Sequence, residues 1–119
     1  MDESARVIDW DAVEATELFP GVIRQAVTTT TSTVVRYTYH PGCVFPIHQH
    51  PEEQVTVVHT GVIEFEVGGE PVSLRAGQLA VIPGGVPHGA RVTGSVTVIT
   101  DNYIASANRT PLQFDGSGS

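Results

Sequence analysis

Two glycine-framed stretches decide the fold of this chain: GCVFPIHQHPEEQVTVVHTG at 42–61 and GQLAVIPGGVPHGARV at 77–92. The first stretch contains His48 and His50, and the second contains His88. Because successive side chains of a β-strand point to opposite faces, His48 and His50 share one face and can reach the same ion. Three imidazoles from neighbouring strands therefore predict a metal site.

The chain around these stretches has the pattern of many short strands. Gly and Pro recur at short intervals, and the segments between them are rich in Val, Thr, Ile and Tyr, which predicts an all-β sandwich or barrel. A short strand and one helical turn are expected within 7–18, with turns at 68–69, 75–77 and 83–85. The predicted strands are 21–30, 33–40, 45–50, 54–60, 62–67, 71–75, 79–83, 89–93 and 95–104.

Length and composition indicate one domain, which we place at 1–114, followed by a flexible tail at 115–119. The net charge is −7 and all six basic residues are Arg, without a basic run, which argues against nucleic-acid binding. No apolar segment approaches the roughly 20 residues that span a bilayer, and the acidic amino terminus lacks a signal-peptide core. With the single cysteine, Cys43, these features favour the cytoplasm.

Gln54 completes the predicted ligand set with His48, His50 and His88. The donor set is neutral, so a bound ion keeps its double positive charge and acts as a stronger Lewis acid, while higher oxidation states are stabilised less. Imidazole, amide oxygen and water suit Zn, Ni, Mn, Fe or Cu, so the sequence predicts one divalent ion without choosing among these metals.

Four other residues near the predicted site carry side chains that could serve as ligands. His59 lies five positions after Gln54, so regular strand alternation turns it away from the metal. His40 stands before a Pro-Gly turn, where exposure is the commoner outcome, and it stays open as a fifth ligand or proton carrier. Glu52 and Glu53 fall in the expected turn between the ligand strands, and a one-residue bulge would bring Glu53 to the metal.

The two stretches resemble the paired motifs of the cupin superfamily. The first matches Gly-x5-His-x-His-x3-Glu-x6-Gly with Gln54 in place of Glu, and the second matches Gly-x5-Pro-x-Gly-x2-His-x3-Asn with Val92 in place of Asn. The resemblance implies a cupin jelly-roll β-barrel that holds one metal ion. The departure at Gln54 disfavours the oxidative chemistry that is commonest in the superfamily.

A narrower resemblance is to the small cupins of pectin degradation, which open unsaturated uronates to linear keto acids with a His, His, Gln, His site. It rests on the segment 10–24, on the form of the first motif and on an Asp-x-aromatic pattern in the last strand. By this resemblance Asp101 is the proton-transfer residue, Tyr103 stands at an aromatic pocket position, and Arg109 clamps the substrate. Polyketide-cyclase cupins are similar in their His and Gln ligands.

These observations predict a metal-dependent lyase, isomerase or cyclase that acts on a small molecule by proton transfer. Two alternatives stay open: an Fe(II)-dependent dioxygenase of the same fold, and a cupin that binds a small ligand without catalysis. We also expect a homodimer, because the segment 7–10 and an exposed outer sheet offer a surface to cover.

Overall fold

A computed structural model describes residues 4–105 and 113–114, and regular structure there is almost entirely β. One 3-10 turn, Trp10–Ala12, precedes the strands. The strands are β1 (Thr16–Phe19), β2 (Val22–Thr28), β3 (Ser32–Tyr39), β4 (Val44–Gln49), β5 (Gln54–Thr60), β6 (Val62–Val67), β7 (Glu70–Arg75), β8 (Leu79–Ile82), β9 (His88–Arg91), β10 (Val98–Ala105) and β11 (Gln113–Phe114).

The strands form two antiparallel sheets. Sheet A has the order β1-β2-β3-β10-β5-β8, and sheet B has the order β11-β4-β9-β6-β7. Chain neighbours such as β3 and β4, or β4 and β5, lie in different sheets, so the chain crosses repeatedly between the two layers. This is the all-β jelly roll that the sequence predicts.

The core lies between the two inner faces. Along β3, burial alternates strictly, with the buried side chains of Thr33, Val35, Tyr37 and Tyr39 facing inward. From sheet B, Phe45 packs edge-on against Tyr37, with their ring centroids 5.2 Å apart. Aliphatic and aromatic side chains thus fill most of the interior, and the polar groups described below lie at one end of it.

The predicted strands agree with the observed ones, with differences at their ends. The segment 7–18 contains the 3-10 turn and the first residues of β1, as expected. The last long strand begins at Val98 instead of 95, because 95–97 are irregular. The proposed tail at 115–119 and parts of the proposed domain, 1–3 and 106–112, lie outside the described residues. No helix in the described ranges is long and apolar enough to cross a membrane.

Candidate metal centre

Strands β4 and β9 place two of the histidines directly opposite each other. His48 and His88 are register partners, and their ring centroids are 4.2 Å apart. The register of β4 shifts between Phe45 and His48, which brings the backbone of Ile47 onto Gly89. A Cβ at Gly89 would lie 2.8 Å from the carbonyl oxygen of Phe45, so glycine is required for this close approach.

The third histidine is placed by contact between the two glycine-framed stretches. His50 follows β4, and its carbonyl oxygen accepts a hydrogen bond from the amide of Gly85 at 2.7 Å. A Cβ at Gly84 would collide with the carbonyl oxygen of Pro51. The Gly-Gly turn therefore lies directly on the loop that carries His50, and this contact brings His50 to within 5.1 Å of His88, ring centroid to ring centroid.

All three imidazoles are oriented in the same way. The Nδ1 atoms of His48, His50 and His88 lie 3.0, 3.0 and 2.9 Å from the backbone carbonyl oxygens of Pro46, Glu52 and Val86. A carbonyl oxygen only accepts, so each Nδ1 carries the proton and each Nε2 presents a lone pair. Backbone carbonyls behind metal-bound histidines fix the rings in this way in known sites.

The three histidines form a buried cluster with one ligand atom each, and these atoms lie within 4.8 Å of one another. The buried Nε2 of His88 has no hydrogen-bond partner. Burial, reinforced by the neighbouring His88 and His50, lowers the pKa of His48 to about 4, and burial likewise lowers the pKa of His88. Neutral imidazoles are the form that binds a metal ion.

Gln54 places an oxygen where His50 requires a donor or a cation. Its Oε1 lies 3.1 Å from Nε2 of His50. Its Nε2 points the other way and donates to Thr56 Oγ1 at 2.9 Å and to Asn102 Oδ1 at 3.1 Å. The ring of His50 therefore has an acceptor oxygen at each nitrogen, and a neutral imidazole has only one N–H. A metal ion held by Nε2 and Oε1 would satisfy both atoms, so the residues present fit a cation.

The alternative ligands lie elsewhere. His40 and Glu53 are exposed. Glu52 lies behind the ring of His50, with its Oε1 3.6 Å from Nδ1, on the side opposite to the other imidazoles. His59 projects from the outer face of sheet A, as its odd spacing from Gln54 predicts. The carboxylate of Glu52 can thus add negative charge behind His50 without joining the ligand set.

The structure does not bring Asp101 to the cluster. Asp101 pairs with Val57 and Arg36 on the outer face of sheet A, whereas its neighbour Asn102 faces the interior. Arg36 donates to both carboxylate oxygens of Asp101, at 2.8 and 2.9 Å, and His59 Nε2 lies 2.7 Å from Oδ2. The proton-transfer role that the resemblance gives to Asp101 is therefore not supported by its position.

Tyr103 shares the outward direction of Asp101, as the alternation of β10 requires, and is 44 % exposed. Its phenol does not line the cavity that holds the histidines. Arg109, the third residue of this predicted group, lies outside the described residues.

The carboxylate of Asp101 is a structural anion. Burial acts to raise its pKa, but the hydrogen bonds and positive charges of Arg36 and His59 outweigh burial, and the pKa lies below its ordinary value. The guanidinium of Arg36 also stacks on Trp10, 4.6 Å from the ring centroid. This contact, with hydrogen bonds from Gln25 to the carbonyl oxygens of Trp10 and Val13, fastens the amino-terminal segment to sheet A.

Sequence reasoning missed the inward residues of β3 and β10. Tyr37, Tyr39 and Ile104 line a small cavity together with His48, His88 and Gln54, and Asn102 contacts Gln54 from behind. The signal available for Tyr37 and Tyr39 was the alternation of β3, where Thr33, Val35, Tyr37 and Tyr39 form one face. For β10 the alternate positions are mixed in polarity on both faces, so the sequence contains no clear signal for Asn102.

Comparison with known proteins gives a family match and several fold matches. A family model described as the cupin domain matches residues 35–100. No curated protein matches the sequence. KdgF from Halomonas sp. is 25 % identical, with a TM-score of 0.74 over 85 % of this chain and 94 % of that chain.

Two further solved structures have the same fold. An uncharacterized conserved protein with a double-stranded β-helix domain from Klebsiella pneumoniae is 29 % identical, with a TM-score of 0.77 over 96 % of this chain and 94 % of that chain. The polyketide cyclase RemF from Streptomyces resistomycificus is 20 % identical, with a TM-score of 0.75 over 93 % of this chain and 85 % of that chain. The likeness to RemF concerns the fold alone.

Proposed function

Because the chain belongs to the cupin family, we propose that it is an enzyme that holds one divalent metal ion and catalyses non-oxidative proton transfer on a small oxygenated substrate. The ligands in this proposal are His48, His50, Gln54 and His88. Ring opening, tautomerisation, elimination and cyclisation are the reactions that such a site can promote. The resemblance to the uronate-opening and polyketide-cyclase cupins supports this range of reactions.

The observation that carries the proposal is the neutrality of the donor set. Three imidazoles that each keep a proton on Nδ1 face the same point as the amide oxygen of Gln54. Neither of the two carboxylates with buried oxygens among the described residues belongs to this donor set: Asp101 lies on the outer face of sheet A, and Glu52 lies at the Nδ1 side of His50. A divalent ion in this setting supplies Lewis acidity, since no ligand carries a compensating negative charge.

Two phenols are the chain's own proton donors in the cavity. Tyr37 and Tyr39 line it beside His48. Burial raises the pKa of Tyr37, although the charge and the hydrogen bond of Arg24 oppose this, and burial raises the pKa of Tyr39 well above its ordinary value. Both side chains are therefore protonated near neutral pH. They can donate hydrogen bonds to a substrate oxygen, and they are poor bases.

Arg24 favours a substrate that bears a carboxylate. It stands two residues after the buried Val22 on β2 and is the register partner of Tyr37 on β3, so it shares the inward face. A guanidinium beside Tyr37, which lines the cavity, can bind a carboxylate with two parallel hydrogen bonds. Unsaturated sugar acids are therefore the first substrates to test, ahead of neutral polyketides.

The experiment joins metal analysis to an anaerobic assay. Protein purified without chelator is expected to contain about one Zn, Ni or Mn ion per chain. It is expected to convert unsaturated uronates, or enol-bearing polyketide mimics, without oxygen. His48→Ala should lose the metal and the turnover together, whereas Asp101→Asn should keep both, because Asp101 lies outside the cavity.

Other outcomes would overturn the proposal in distinct ways. Turnover that needs ferrous iron and consumes oxygen would make the protein a dioxygenase. Saturable ligand binding with metal bound but without turnover would make it a binding protein. An Asp101→Asn variant that keeps its metal and loses turnover would restore the proton-transfer role that the sequence resemblance gives to Asp101.

A further inference from the structure

A polar row behind Gln54 connects the metal-facing amide to the backbone of sheet A. Thr56 and Asn102 are register partners on β5 and β10, and Asn102 and Val35 are register partners on β10 and β3. The side chains of Gln54, Thr56 and Asn102 are buried. Every hydrogen bond in this row is therefore made in a medium where an unsatisfied polar group is costly.

The direction of the row is set by a group that can only accept. The backbone carbonyl oxygen of Val35 accepts from Asn102 Nδ2 at 3.0 Å, so the amide nitrogen of Asn102 must point toward β3. Nδ2 also donates to Thr100 Oγ1 at 3.0 Å. The oxygen of Asn102 consequently faces β5, where it accepts from Thr56 Oγ1 at 2.7 Å and from Gln54 Nε2 at 3.1 Å.

This chain of donors fixes the amide of Gln54. Its nitrogen must face Asn102 and Thr56, and its oxygen must therefore face the imidazoles. We propose that Asn102 is a positioning residue that directs Oε1 of Gln54 at the imidazoles and excludes a glutamate from position 54. The inference rests on the proposed function, because it concerns the same metal site. It adds a reason for the neutral ligand.

A carboxylate at position 54 would meet the wrong partner. Glutamate has no N–H, so one of its oxygens would face Oδ1 of Asn102, and neither atom could donate. Rotating Asn102 would relieve that contact but would turn its oxygen toward the carbonyl oxygen of Val35. Each arrangement leaves two buried acceptors opposed, whereas glutamine leaves none.

The test is a double-mutant cycle on positions 54 and 102 with Zn²⁺ affinity as the readout. Asn102→Ser is expected to weaken Zn²⁺ binding about tenfold when Gln54 is present, because the amide of Gln54 is then free to rotate. In the Gln54→Glu background the same change should strengthen Zn²⁺ binding, because a serine hydroxyl can donate to the carboxylate. The opposite sign in the two backgrounds is the result expected from a positioning role.

Two outcomes separate this inference from the proposed function. Equal effects of Asn102→Ser in both backgrounds would overturn the positioning role, even with the metal site intact. A second readout uses the metal-free wild-type protein, where the side-chain amide protons of Gln54 should exchange slowly with solvent. Fast exchange would also overturn the positioning role. Slow exchange in a protein that binds no metal would support the positioning role of Asn102 and reject the proposed function.

Discussion

The two faces of strand β10 carry adjacent residues that have different roles. On the inner face, Asn102 belongs to a neutral hydrogen-bond row that ends at the imidazole cluster. On the outer face, Asp101 is a charged group held by Arg36 and His59. Both side chains are buried, so burial alone does not identify which of them serves the site.

The difference lies in how each face satisfies its polar groups. The interior uses neutral amides, hydroxyls and backbone carbonyls, and it contains imidazoles whose charged forms are disfavoured. The outer face balances a carboxylate against a guanidinium near solvent. The interior is thus arranged to accept a positive charge from outside, whereas the carboxylate of Asp101 on the outer face already has a cationic partner in Arg36.

The largest predicted effect is a loss of unfolding free energy with falling pH in the metal-free protein. The inner and outer faces should lose stability in different pH ranges. The pKa of His48 is lowered from 6.5 to about 4 on folding. The unfolded chain therefore binds this proton first, and the free energy of unfolding falls as the pH drops from about 6.5 to 4, by on the order of 3 kcal/mol. Urea unfolding with chelator present at pH 7, 5.5 and 4 measures the fall.

The outer face should titrate in a lower pH window. The folded-state pKa of Asp101 lies below its ordinary 3.8, so its stabilising contribution is present above that pH and is lost as the pH falls further. His48→Gln should reduce the loss of unfolding free energy between pH 6.5 and 4. Asp101→Asn should reduce the loss of unfolding free energy below pH 4. If His48→Gln left the upper window unchanged, the buried neutral imidazole would not be its cause.

A smaller effect is expected where the two glycine-framed stretches meet. Gly84→Ala would press a methyl group onto the carbonyl oxygen of Pro51 and separate the Gly-Gly turn from the loop of His50. We expect a loss of about 2 to 3 kcal/mol in unfolding free energy and weaker Zn²⁺ binding. Thermal unfolding and a chelator-competition titration measure both quantities.

Gly94→Ala is the matched control, because a Cβ at Gly94 has no heavy atom within 4 Å. This substitution should change neither the melting temperature nor the Zn²⁺ affinity. Similar losses in the two variants would mean that the contact at Gly84 does not hold the ligand loops together.

The sequence was informative where a local rule decides the outcome. Short strands punctuated by Gly and Pro predicted an all-β sandwich or barrel, and the cupin resemblance implied the jelly roll. The spacing of His48, His50 and His88 predicted three imidazoles that the structure brings together. The same rule predicted the outward direction of His59. These results depend on residues within one strand or on turns that only glycine permits.

Which face of β10 turns inward depends on its pairing with strands that are distant in sequence. The sequence was not sufficient to predict that face. Alternation correctly placed Asp101 and Tyr103 on one face but could not say which face. Each set of alternate residues in this strand contains both aliphatic and polar members, so neither is evidently the buried one. The choice is made by register with β3 and β5, where Asn102 meets Val35 and Thr56.

The smallest predicted effect tests whether the outer cluster is independent of the interior. Arg36→Met removes the bidentate partner of Asp101 and leaves His59, so the unfolding free energy should fall by about 1 to 2 kcal/mol. Arg36→Lys should recover only part of this loss, because an ammonium group cannot reproduce two parallel hydrogen bonds.

The exposed Arg91 on sheet B offers a control, Arg91→Met, with the same change of charge and little expected loss. Zn²⁺ affinity should stay at the wild-type value in all three variants, since Arg36 and Arg91 lie outside the cavity. A fall in Zn²⁺ affinity in Arg36→Met alone would mean that β10 transmits the state of its outer face to Asn102, and the two faces would then act as one site.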